Sequence, residues 1–71
     1  MNPANDKAIK TLKTIYRDSL SKELKIAIIE GLGEAGGDDA IDYLKTIYRD
    51  SLHTELKTVI FRAIGRAGRI I

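Results

Sequence analysis

At 71 residues the chain has room for one hydrophobic core, because a domain of this size buries only about 60% of the surface its unfolded chain exposes. It contains no cysteine, which excludes disulfides, thiolate metal sites and a thiol nucleophile, so stability must come from packing within the chain or against a second one. Its 12 basic and 10 acidic side chains are mixed along the sequence for a net charge of +2, short of the excess a general nucleic-acid binder carries. The longest unbroken apolar run, Ile26 to Ile29, is far too short to cross a bilayer.

Met1 to Asp6 shows no basic start followed by an apolar stretch, so no secretory signal is read and a cytoplasmic location is expected. The segment Lys13-Thr14-Ile15-Tyr16-Arg17-Asp18-Ser19-Leu20 then returns unchanged as Lys45-Thr46-Ile47-Tyr48-Arg49-Asp50-Ser51-Leu52. Aligned without a gap, residues 5–36 and 37–68 are identical at 19 of 32 positions. The chain therefore reads as one domain, 1–71, built by duplication, with repeat one at 5–36 and repeat two at 37–68.

In chain order, Ala8, Ile9, Leu12, Ile15 and Tyr16 have the spacing of one apolar helix face and predict a helix near 6–19, with Asp6 as its cap. The short link Ser19-Leu20-Ser21 leaves room only for an antiparallel return, and Ser21 can cap the returning helix. Leu24, Ala27, Ile28, Gly31, Leu32 and Ala35 predict that second helix near 22–35, closed by Gly36-Gly37. Repeat two copies the plan. Asp38 caps a helix near 38–51 carrying Ala40, Ile41, Leu44, Ile47 and Tyr48. A last helix near 54–67 carries Leu56, Val59, Ile60, Ala63, Ile64 and Ala67 and is closed by Gly68. The fold expected is all-α, an αα-superhelix of two tandem helical hairpins with four helices.

The stretch Ser-Lys-Glu-Leu-Lys-Ile-Ala-Ile-Ile-Glu-Gly-Leu-Gly-Glu-Ala-Gly from Ser21 to Gly36 resembles the second helix of a HEAT-like repeat of the phycobilisome lyase type. The family runs Asp-Pro-x-Val-Arg-x-x-Ala-x-x-Ala-Leu-Gly-x-x-Gly there. Leu24, Lys25, Gly31, Leu32, Gly33 and Gly36 stand at its pattern positions, with Ser21, Lys22 and Lys25 in place of the aspartate, proline and arginine. The resemblance covers residues 5–68 and implies a superhelical binding module. Lyases of that family are longer arrays, so a role as an accessory in phycobilin or chromophore-lyase-type complexes is an alternative.

Four equivalent positions reverse charge between the repeats: Lys7 and Asp39, Lys10 and Asp42, Glu30 and Arg62, Glu34 and Arg66. Stacked repeats bring equivalent positions side by side, so each reversal is expected to form an inter-repeat ion pair that helps set the register. The same signs let the outer face of repeat two receive repeat one of another chain. An array normally needs three or more repeats to bury its hairpins, and the chain ends in Arg69-Ile70-Ile71, so a homodimer is expected, with domain exchange as one route to it. Ile26, Ile29 and Phe61 lie outside the main apolar stripes, and the second helix of each repeat is expected to meet a partner through Lys25, Ile26, Ile29, Lys57, Phe61 and Arg62.

Chemistry-bearing residues are few. There is one histidine, no HExxH and no phosphate loop, so no enzyme, metal or cofactor is expected. His53 falls in a link, as a cap or solvated residue. Gly31 to Gly36 superficially matches a dinucleotide fingerprint, but that motif opens a helix after a strand, and here it closes one. Arg62, Arg66 and Arg69 run along one side of the last helix and keep DNA-backbone binding as a further alternative. The function expected is that of a small non-enzymatic protein-binding or assembly module with a protein partner.

Overall fold

The second helix has a local reason to begin and end. In the computed structural model, which describes the backbone of residues 3–19, 21–51 and 53–70 and the side chains of 5–19, 21–51 and 53–69, α1 spans Pro3–Asp18, α2 Lys22–Ala35, α3 Gly37–Asp50 and α4 Thr54–Ile70. Leu20 of the first link and Ile71 of the apolar chain end lie outside the described residues. Ser21 caps α2 as anticipated, its Oγ accepting from the Leu24 N–H at 3.4 Å. Gly36, at φ 70°, ends α2 by donating its N–H to the Leu32 carbonyl at 3.1 Å. Gly37, at φ 90°, turns the chain directly into α3. Two consecutive left-handed residues are what glycine supplies and other residues resist.

Three expected boundaries differ. Helix α1 starts at Pro3, a residue suited to a first helical turn, and Asp6 lies inside that turn rather than capping it. Asp38 likewise sits in the first turn of α3, whose cap position is Gly36 with no side-chain hydrogen bond. Both acids still face the positive end of a helix dipole. Helix α4 continues through Gly68 to Ile70, because an exposed glycine with open space around it weakens a helix by only about 1 kcal/mol.

The helices pack as two hairpins, α1 with α2 and α3 with α4, and the tightest inter-hairpin packing is between α2 and α4. Helices α1 and α3 touch far less. Residue size explains the asymmetry. A Cβ on Gly33 would come within 3.0 Å of the Ala63 Cα and 3.1 Å of its carbonyl oxygen, so α2 and α4 approach almost backbone to backbone. Between α1 and α3, Tyr16 and Tyr43 meet edge to face with centroids 6.2 Å apart, and the Tyr43 hydroxyl reaches the Lys13 carbonyl at 3.5 Å. Small residues in one layer and tyrosines in the other splay the stack toward the α1/α3 side. The core runs between these layers through Ile9, Ile28, Ile29, Leu32, Ala40, Leu44, Ile47, Leu56, Ile60, Ala63 and Ala67. Asn5 Nδ2 donates to the Ala35 carbonyl at 2.7 Å, tying the start of α1 to the end of α2.

Candidate protein-interaction site

The tight α2/α4 layer decides which charge reversals become contacts. Glu34 and Arg66 form an ion pair between exposed side chains. Glu30 and Arg62 line one shallow cleft with Val59, Ala63 and Arg66 but are not paired. Lys7 with Asp39 and Lys10 with Asp42 belong to the splayed layer, and neither makes an ion pair among the described residues. The expectation of four inter-repeat pairs is therefore corrected to one. A second pair was not foreseen: Lys22 Nζ reaches Glu55 Oε1 at 2.9 Å, and that hydrogen bond and charge hold the Lys22 ammonium above its ordinary pKa. It joins positions that are not equivalent, so comparing equivalent positions could not find it.

The six residues expected to form one partner face do not share a surface. Ile29 is fully buried between the repeats, because α2 is covered by α1, α3 and α4 together. Ile26 is half-buried against the same core. Lys25 lies over the Tyr16 ring at 5.5 Å and Lys57 over the Tyr48 ring at 5.2 Å, cation–π contacts between half-buried side chains of about 0.5–2 kcal/mol. Arg62 belongs to the cleft with Glu30. Of the three apolar residues, Phe61 alone stands open, in a different groove.

That groove lies between α3 and α4, has a volume of 570 Å³ and is lined by Asp42, Lys45, Tyr48, Arg49, Phe61 and Ile64. The rings of Tyr48 and Phe61 pack with centroids 4.9 Å apart in its lining. Thirty-two positions earlier, the same places hold Lys10, Lys13, Tyr16, Arg17, Ile29 and Leu32. There the groove is filled by repeat two: Ile29 and Leu32 are inaccessible to solvent, and Tyr43 packs on Tyr16 and accepts Lys13 over its ring at 5.3 Å. Burial among these groups pushes the Tyr16 phenol above its ordinary 10.0, with Tyr43 and Asp50 adding in the same direction. Burial also raises Tyr43, while Arg17 opposes it.

The exposed large apolar side chains follow the same rule. Phe61 is 58% exposed where its counterpart Ile29 is 0%. Ile15 is 48% exposed where Ile47 is 5%, and Leu24 is 57% exposed where Leu56 is 5%. Sequence periodicity placed Ile15 and Leu24 in buried stripes. The signal that would have found them is the repeat itself, since repeat two covers only one side of the first hairpin.

A second cavity of 520 Å³ opens at the link end of the stack, with Tyr16, Lys25, Tyr43, Asp50, His53 and Leu56 among its walls. His53 is held there through its backbone, its N–H on Ser51 Oγ at 3.3 Å and its carbonyl accepting from Lys57 N–H at 3.1 Å. Among the described residues, no cluster of three or more His, Asp or Glu is placed to hold a metal ion, and no helix is long and apolar enough to cross a membrane. Comparison with protein-family models, with curated proteins and with solved structures finds no match to this chain.

Proposed function

We propose that this chain is a non-catalytic protein-binding and assembly module of two HEAT-like hairpins, acting in the cytoplasm and able to self-associate, and that its binding surface is the groove between α3 and α4. One observation carries this reading: the groove has a twin in the same chain, and the twin is filled by a helical hairpin. Phe61 stands open and Ile64 is half-buried where Ile29 and Leu32 are covered. A surface of that shape suits another helical protein surface better than a small ligand, and its Tyr48–Phe61 pair is of the aromatic kind that anchors interfaces. The basic stripe offers less to nucleic acid, since Arg66 is engaged by Glu34 and Arg62 shares its cleft with Glu30.

The test is site-specific photo-crosslinking in extract of the source cells, with the photoreactive side chain at position 61 and, as a control, at the exposed Thr58. Protein adducts that form from position 61 and not from position 58 are expected. Adducts to nucleic acid, or equal yields from both positions, would overturn the reading.

A further inference from the structure

The two ends of the stack expose different parts of the repeat. At one end, the groove exposes Phe61. At the other, the outer face of repeat one exposes Ile15 and Leu24, whose counterparts Ile47 and Leu56 are buried in the assembled stack. We propose that the groove binds the first repeat of a second copy of this chain, so that copies join head to tail in the relation that stacks repeat two on repeat one. The proposal rests on the groove being a protein-binding surface.

Charge selects this occupant. Carrying the internal relation across the junction sets Asp39, Asp42, Arg62 and Arg66 of one copy beside Lys7, Lys10, Glu30 and Glu34 of the next. All four meetings are of opposite sign, and one of the two that fall in the tight layer, Arg66 with Glu34, repeats the ion pair already formed within the chain. Backbone space agrees. Gly65 occupies the place of Gly33 and has nothing within 4 Å of a Cβ built on it, while Gly31 of the next copy stands where Ala63 packs on Gly33. Glycine would meet glycine, leaving room for the same close helix approach. A head-to-tail junction leaves an unused face at each end, so a joined pair still adds copies until a ring closes or a filament grows.

Two variants, each blocked at one end, test this. Gly65→Leu fills the groove end where the chain itself has open space, and Leu24→Asp charges the other end at an exposed position. Phe61→Asp and Ile15→Asp serve as second variants should either fail to fold by circular dichroism. Each variant alone should lose self-association by roughly 30-fold or more, the effect of removing a central interface anchor, and the two mixed should form a single 1:1 complex by sedimentation. Self-association of Leu24→Asp alone would mean groove-to-groove pairing and would overturn the proposal. So would a monomeric mixture, or a wild-type chain that never self-associates. If position 61 still crosslinks a different protein in that last case, the binding module stands and only the second copy is lost.

Discussion

Leu24 and Leu56 occupy the same place in the two hairpins, preceded by the same glutamate and followed by the same lysine. One is more than half exposed and the other is core. Ile15 and Ile47, in identical eight-residue segments, divide the same way. Since local sequence and helix type are shared, the difference comes from position in the stack: Leu56 and Ile47 have repeat one behind them, and Leu24 and Ile15 lie on the side of repeat one that repeat two does not cover. Burial here is therefore a property of neighbouring repeats rather than of a hairpin's own pattern, as expected when each repeat contacts only the next.

Matched truncations of the two leucines should differ most. Leu56→Ala should remove about 2–5 kcal/mol, a large part of the roughly 4–10 kcal/mol available to a domain of this length. Leu24→Ala should stay within about 0.5 kcal/mol. Urea unfolding at concentrations low enough to keep the chain monomeric reads both, and equal losses would mean the two leucines share an environment.

A smaller effect of opposite sign is expected at the paired glycines. Gly65→Ala should stabilise by about 0.5–1 kcal/mol through helix propensity, because its Cβ meets open space. Gly33→Ala should instead destabilise by up to about 2 kcal/mol, since its Cβ must displace the α4 backbone. Stabilisation at both positions in thermal melts would remove the close approach of α2 and α4.

The smallest effect is on pH dependence and concerns the tyrosines between the repeats. Tyr16 and Tyr43 have folded pKa values raised above 10.0, chiefly by burial. Folding thus favours their neutral phenols. That contribution is complete below pH 10 and is lost as pH rises from there through the folded values. In a Tyr48→Phe variant, tyrosinate absorbance should titrate with midpoints above 10.0 in the folded chain and near 10.0 in urea. Coincident curves would place both rings in solvent.

Much of the fold was legible because its punctuation is local. Ser21 and the Gly36-Gly37 pair act within a few residues of themselves, and the interior bounds of α2 and α3 follow from them. The ends of α1 and α4 were less legible, because Pro3 is as good a helix starter as Asp6 is a cap, and because one glycine at position 68 does not stop a helix. The candidate site was legible only in part. Phe61 was identified from the sequence, but Ile29 beside it in the pattern is core, since periodicity describes one buried stripe and α2 is covered on several sides. Charge reversals identify which positions are equivalent without saying how far apart the layers hold them, and the size contrast between Gly33–Ala63 and Tyr16–Tyr43 decides that.

Sedimentation equilibrium of the unmodified chain across a concentration series asks whether the open groove of repeat two and the exposed face of repeat one are complementary. The mass should rise from the 7.9 kDa of a single chain through the dimer and beyond it. A mass that stays at one chain at every concentration, or that stops at two with both end-blocked variants still pairing, would contradict it.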